Sequence, residues 1–485
     1  MKTEKLPGRK QFAETPCEWF DRGRFASAAV TRFGVLHYAK KTTVLSLAAA
    51  AVCAASATMD EARVRQYLKG TPSEARDPNG RIGILVNKPD YVVFVPKHDK
   101  GKNDPAKPSD TYNDHFQVIE NPSNRCLYAF WTQASREDAI DQHIAFSRSR
   151  DRGVTWSEPT ILAGSRCQQF PSLIASWQQP MLAKSGRLYC LWNQRVANKR
   201  IRYDLMGSYS DDDGTTWSVP DRVPFIERLE ADMEEDGFPS SWINWQRPLR
   251  LGAGGKFFVG SSRKGARRES GRYGGVEFWQ FENIDKNPEI AAIKIECFCT
   301  NRMALCVEML GKGDWFTPRD GRTSLEEAGI VKLPDGRLFA LMRSTVGHPV
   351  WSQSRDGGRT WDAPKVLLDR DGGTPFLHPR SPCPIYDWKG PEAGSGTYFA
   401  LIHQRFDFSG ETAYQKRGPL YLIAGVFNPT AEQPISFKPP KLFAPRENGN
   451  AFYTSYCILD GKGVLWYNDM KYFLCGRIIG PEWFK

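Results

Sequence analysis

The sequence predicts an all-β chain folded as a six-bladed β-propeller, and three observations carry that expectation. A pair of alternating apolar strands joined by a tight turn recurs six times along the chain. A separate motif of the form S-x-D-x-G-x-T-W recurs three times. With 42 Gly, 33 Pro and 15 Trp in 485 residues, the composition favours many short strands and turns over long helices.

The first three strand pairs are Asp114–Ile119 with Leu127–Trp131, Gln179–Leu182 with Leu188–Trp192, and Arg247–Leu251 with Phe257–Val259. The next three are Ile330–Leu333 with Leu338–Met342, Ser381–Ile385 with Tyr398–Ile402, and Tyr456–Leu459 with Val464–Tyr467. Their turns are anchored at Asn124, Gly186, Gly255, Gly336, Gly396 and Gly461, spaced 60 to 81 residues apart. That interval suits four-stranded antiparallel sheets arranged radially, each packed on its neighbours. Ring closure then requires a strand from the other end of the chain. Ile82–Val86 or Tyr91–Val95 would complete the last blade beside Tyr472–Cys475.

The eight-residue motif occupies Ser149–Trp156, Ser210–Trp217 and Ser354–Trp361. Its chemistry is that of a hairpin turn between the third and fourth strands of a blade. The Asp carboxylate caps turn N–H groups, the Gly takes a positive φ and the Trp packs underneath. These Asp residues are therefore structural and not catalytic candidates.

Composition narrows the function. At 40% hydrophobic and 25% charged the chain is neither mostly disordered nor a polytopic membrane protein. The net charge of +11 is inflated by the N-terminus. Residues 1–57 hold nine basic and four acidic residues, leaving 57 against 51, a net +6, in the remainder. Spread without long basic runs, that excess does not suit a nucleic-acid binder and implies mild attraction to acidic ligands. His37–Lys41 followed by the apolar run Thr43–Ala57, ending Ala55-Ser56-Ala57, reads as a secretory signal with translation starting near Val35. The run is too short to span a bilayer. Secretion or a periplasmic location is the expectation. Cys126, Cys190 and Cys457 fall in apolar strand patterns and belong in the core; Cys297-Phe298-Cys299 lacks the partner pair a zinc site needs. No Gly-rich phosphate loop opens a helix, so no cofactor and no metal are expected. The long interval 263–325, with Arg263, Lys264, Arg267, Arg268 and Arg272, is a solvated basic surface or a loop over the site.

In a propeller, function sits where the starts of the innermost strands and the ends of the next strands converge. Seven residues after the anchors stand Trp131, Asn193, Ser262, Arg343, His403 and Asn468. At the innermost-strand starts stand His115, Gln179, Arg247, Glu327, Arg380 and Tyr453. The set is polar, cationic and aromatic, which suits an acidic sugar.

The S-x-D-x-G-x-T-W repeats, known as Asp boxes or BNR repeats, and the six-blade spacing together resemble the sialidase (neuraminidase) superfamily across residues 80–485. Glu327, then Leu333-Pro334-Asp335-Gly336-Arg337-Leu338 and Arg343, looks like that family's segment with the catalytic Glu and one carboxylate-binding Arg. Tyr453 ahead of Cys457–Gly461 is placed like the nucleophilic Tyr, and Arg380 before Ser381-Pro382 like a second binding Arg. The family's acid/base Asp lies on a loop before the first box; within Ser135–His143 the candidates are Asp138 and then Asp141. The resemblance thus implies a secreted exo-glycosidase acting on terminal sialic acid or a related acidic sugar. Tyr453, Glu327 and an Asp would be its catalytic groups, with Arg343, Arg380, His403 and Trp131 around the substrate. One departure stands out: Asp114-His115-Phe116 occupies the first blade where sialidases carry an Arg-x-Pro. A His cannot make a bidentate clasp, so Arg247 would have to supply that cation. Two other functions fit the same residues: a polysaccharide lyase acting on uronates with His115 or Tyr453 as base, or a non-catalytic carbohydrate-binding propeller. The oligomeric state is left open.

Overall fold

The structure is a computed structural model that describes residues 89–96, 110–137, 139–164, 173–196, 204–224, 241–268, 271–300, 304–311, 323–404, 417–445 and 453–485. The signal-like segment, Ile82–Val86 and Asp138 lie outside them. Among the described residues there is no α-helix, and no helix long and apolar enough to cross a membrane.

Six antiparallel sheets follow one another along the chain. The first blade is Tyr112–Glu120, Leu127–Ala134, His143–Ser149 and Thr160–Gly164. The second is Leu173–Leu182, Leu188–Val196, Asp204–Ser210 and Asp221–Arg222. The third comprises Ser241–Ile243, the two long strands Phe257–Arg268 and Gly271–Phe281, and Ile295–Phe298. The fourth is Thr323–Lys332, Leu338–Ser344, Val350–Ser354 and Lys365–Val366. A short parallel pairing, Tyr273 with Thr323 and Gly274 with Ser324, ties it to the third. The fifth is Ile385–Asp387, Thr397–Ile402 and Leu420–Phe427, with Ile435–Phe437 and Lys441–Ala444 both on its outer edge. The sixth is Ser455–Leu459, Lys462–Asp469 and Phe473–Ile479, completed by Tyr91–Phe94 from the other end of the chain. Of the two closing strands the sequence offers, the Tyr91 segment is the one in place, with Tyr91 opposite Gly476.

The two-residue strand period explains the radial packing. In Leu127–Ala134, Leu127, Ala129 and Trp131 face the sixth blade and pack with Phe94, Val464 and Trp466. Tyr128 and Phe130 face the second and pack with Leu188, Cys190 and Trp192. Every neighbouring pair of blades shares such a core. Each large apolar side chain buried this way is worth about 1.5–3 kcal/mol, so stability resides between sheets.

The Asp boxes turn as the motif implies and also reach across to the preceding blade. Asp151 accepts from the Thr155 N–H at 2.8 Å and the Thr155 hydroxyl at 2.6 Å; Asp212 and Asp356 do the same with Thr216 and Thr360. Trp156 packs edge-on against Trp466 of the sixth blade, Trp217 against Phe146 of the first, and Trp361 stacks 4.0 Å from Phe278 of the third. Arg263 does not join a basic surface: it is buried and held by Glu277 through bonds of 2.9 and 3.1 Å.

The box glycine carries two constraints at once. Gly214 has φ +75°, and a Cβ there would lie 2.3 Å from the Phe146 ring; Gly186, at φ +97°, would meet nothing within 4 Å. Gly214→Ala should cost about 2–5 kcal/mol, against about 1–2 for Gly186→Ala, where only the dihedral penalty applies. Equal losses in urea unfolding would contradict this reading of the box.

Candidate active site

Three innermost strands break register at the same depth. Pairing skips between Asp114 and Gln117, between Ser176 and Gln179, and between Glu326 and Gly329. At each bulge one non-glycine residue takes a left-handed conformation: His115 (φ 53°), Trp177 (φ 55°) and Glu327 (φ 52°). Such backbone costs about 1–3 kcal/mol per residue and is found where a bulge re-aims a side chain. Ser262, midway along Phe257–Arg268, accepts the Glu327 N–H at 2.6 Å and helps hold that turn.

Tyr453, just ahead of the innermost strand of the sixth blade, donates its hydroxyl to Glu327 Oε1 at 2.8 Å. Arg343 donates from Nη1 to Glu327 Oε2 at 2.8 Å and lies 3.5 Å from the Tyr453 oxygen. Its Nε is 3.7 Å from Glu326, whose other oxygen accepts from Arg380 Nη2 at 2.6 Å. Four residues distant in the chain, Glu327, Arg343, Arg380 and Tyr453, thus meet in one network. Glu327, Tyr453 and Arg343 are 2%, 5% and 8% exposed. Burial, reinforced by the Glu327 charge, raises the Tyr453 phenol well above its ordinary range, so it is neutral at rest. Burial works against the Arg343 charge, yet Glu327 and Glu326 outweigh it and raise the guanidinium further.

A second charged group adjoins this one. His115 packs edge-on to Tyr453 with ring centroids 4.6 Å apart, 5.5 Å from Trp177, and its Nδ1 is 3.2 Å from the Thr132 hydroxyl. Burial lowers its pKa. Asp114 beside it is fully buried. Desolvation alone would raise its carboxyl, but Lys471 at 2.9 Å and His115 hold it at about 2. Lys471 also reaches Glu137 at 3.0 Å and stands 5.7 Å over the Tyr453 ring. Asp114, Glu326, Lys471 and Arg417, which donates to the Arg380 carbonyl, are site residues the sequence reading missed.

Several expected residues lie elsewhere. Trp131 is 0% exposed in the core between the first and sixth blades, its indole N–H on Asn113 at 2.9 Å. The left-handed turn residue of that blade is Arg125, not Asn124, so the count lands on Thr132 instead. Arg247 is also displaced. The residue equivalent to His115 and Trp177 is Trp245, whose indole donates to the Glu327 carbonyl at 2.6 Å, and Arg247, two positions further along, donates to the Tyr456 carbonyl. His403 is wholly buried behind Arg380, against Ser381 and the Pro419 carbonyl. The Asp141 carboxylate caps the turn at Ser135, accepting both its N–H and its hydroxyl.

His403 stacks on a second buried histidine, His378, at 5.2 Å. His378 Nδ1 accepts the His403 N–H and Nε2 faces the Ser381 carbonyl at 2.9 Å, an arrangement that fits the neutral ring. Burial lowers His378 to about 3, whereas an unfolded imidazole titrates near 6.5. The unfolded state therefore takes up the proton first as pH falls. The His378 contribution is complete above about pH 6.5 and declines by about 1.4 kcal/mol per pH unit toward about pH 3. Lowering the pH from 7 to 5 should cost the native chain roughly 2 kcal/mol more than His378→Gln. Identical pH slopes in urea unfolding would contradict it.

Residues 125–271 match the family described as a BNR repeat-like domain. No curated protein matches the chain by sequence. In fold the chain is similar to the intramolecular trans-sialidase of Ruminococcus gnavus, at 13% identity and TM-score 0.53, covering 81% of this chain and 97% of that one. It is similar to the NanB sialidase of Streptococcus pneumoniae at 12% identity and TM-score 0.51, covering 80% and 69%. A Dyadobacter fermentans protein of unknown function gives 13% identity and TM-score 0.52, covering 80% and 96%. The chain is a six-bladed β-propeller with the fold of these sialidases, and its residues 125–271 match the BNR repeat-like domain.

Proposed function

We propose that the protein is an exported glycoside hydrolase of sialidase type, acting on terminal sialic acid or a related acidic sugar. The observation that carries this reading is the buried 2.8 Å hydrogen bond from Tyr453 to Glu327, with Arg343 on the same carboxylate. A sugar bearing a carboxylate at its reacting carbon repels an anionic nucleophile, so a neutral phenol is the suitable attacker. The Tyr453 oxygen bonds to the anomeric carbon as its proton passes to Glu327. The bond to the aglycone oxygen breaks, and that oxygen takes a proton from Asp138. Water then attacks the anomeric carbon and gives its proton to the same Asp, while Tyr453 recovers its own from Glu327. The guanidinium groups of Arg343 and Arg380, which also hold Glu327 and Glu326, are the donors for the substrate carboxylate. Each such charge-assisted bond is worth about 1.5–3 kcal/mol.

One observation favours a second reading, a uronate lyase. His115 replaces the first-blade cation, lies against Tyr453 and is kept neutral by burial. It would take the proton beside a uronate carboxylate while Tyr453 protonates the departing oxygen, leaving an unsaturated sugar.

The test offers the purified chain a fluorogenic sialoside and, separately, a uronate polysaccharide. Aglycone release that falls about 1000-fold or more in Tyr453→Phe is the expected result. Unsaturated uronate absorbance lost in His115→Ala would replace it with the lyase. Sugar binding without turnover of either substrate would leave a binding propeller.

A further inference from the structure

Arg247, displaced from the site around Tyr453, points instead into a cavity of about 800 Å³ further along the central channel. Gln117, Gln246, Arg247, Ile330, Ile385 and Tyr386 line it, and its mouth lies among the far ends of the innermost strands, including Lys332 and Lys389. It is distinct from the Tyr453 site. Trp245 touches both, receiving Gln117 Nε2 on its carbonyl at 2.7 Å and giving its indole N–H to the Glu327 carbonyl.

Arg247 and Gln246 present donors in want of an acceptor, and Gln117 Oε1 is an acceptor without a partner among the described residues. The Arg247 guanidinium makes a single hydrogen bond among the described residues, from Nη2 to the Tyr456 carbonyl at 3.3 Å, and no ion pair. Burial lowers its pKa, with no carboxylate nearby to offset the loss of water. Gln246 is buried; its Oε1 accepts the Ile330 N–H at 3.0 Å while its Nε2 has no partner. The other lining charges largely cancel: Arg250 is paired with Asp285, and Lys389 with Asp387. Lys332 adds a further cation without a carboxylate partner among the described residues. A half-buried guanidinium and an unpartnered amide N–H₂ lining one cavity are donors that a carboxylate accepts. The space is many times that of one water, about 30 Å³, and its walls at Ile330, Ile385 and Tyr386 are apolar. The occupant is therefore an organic molecule and not a bare ion.

We propose that this cavity is a second ligand site, which binds a small organic carboxylate through Arg247 and the Gln246 amide. Calorimetric titration of the full chain with benzoate should show saturable binding at millimolar concentration. Arg247→Met should weaken it at least about tenfold, Arg343→Met should leave it unchanged, and sulfate at equal concentration should not displace it. Should Arg247→Met fail to fold, Gln246→Glu keeps the acceptor for Ile330, puts a carboxylate into the cavity wall, and should weaken benzoate to the same degree. No saturable binding to the native chain, or binding that survives these changes, overturns the site. Loss in Arg343→Met instead would assign the benzoate to the Tyr453 site and equally overturn it. Displacement by sulfate would overturn the organic class of the ligand.

Discussion

No blade can bury its own apolar surface. Leu127–Ala134 offers Leu127 and Trp131 to one neighbour and Tyr128 and Phe130 to the other, and every second strand has the same two-sided demand. A row of such sheets would leave two greasy faces in water, so the ring must close. The pairing of Tyr91–Phe94 with Phe473–Ile479 supplies that closure by hydrogen bonds. The box tryptophans Trp156, Trp217 and Trp361, each set against an aromatic of the preceding blade, reinforce it at the rim. A rigid ring is what lets strained residues such as Glu327 and His115 persist, because the surrounding sheets over-determine their backbone.

Electrostatics at the centre follows from the same geometry. Glu326, Glu327 and Asp114 are almost wholly buried, and each is matched by a cation: Arg380, Arg343 and Lys471 respectively. Alternating charges avoid the cost of an uncompensated buried ion. They also leave the phenol of Tyr453 hydrogen-bonded to one carboxylate and flanked by an arginine, a lysine and an imidazole. His378 and His403, packed behind Arg380, support it with neutral rings whose nitrogens are all engaged.

Much of this was legible in the sequence because it is repetitive. Strand periodicity, the box turns and the six-fold spacing each occur several times, so an error in one copy does not disturb the rest. The site residues of the fourth and sixth blades were legible because Gly336 and Gly461 mark their turns. The first blade misled because its left-handed turn residue is Arg125, whose side chain does not advertise a positive φ. Gln179 misled because a proline follows it, suggesting a strand start where the structure has a strand interior beyond a bulge; Arg247, also followed by a proline, lies past the end of Ser241–Ile243. The bulges themselves, formed by His, Trp and Glu, carry no local signature. Lys471 and Arg417 belong to loops whose approach to the centre depends on the closed ring and on no pattern within their own segments.

The closing seam also orders events during biosynthesis. Tyr91–Phe94 leaves the ribosome before every other described strand, yet its partner Phe473–Ile479 follows them all. Through most of translation that strand waits without a sheet, and the phenol at position 453 does not yet exist. A nascent chain halted between the fifth and sixth blades therefore holds Glu327, Arg343 and Arg380 but lacks both the Tyr453 phenol and the seam, so the buried network assembles only once the sixth blade has been made.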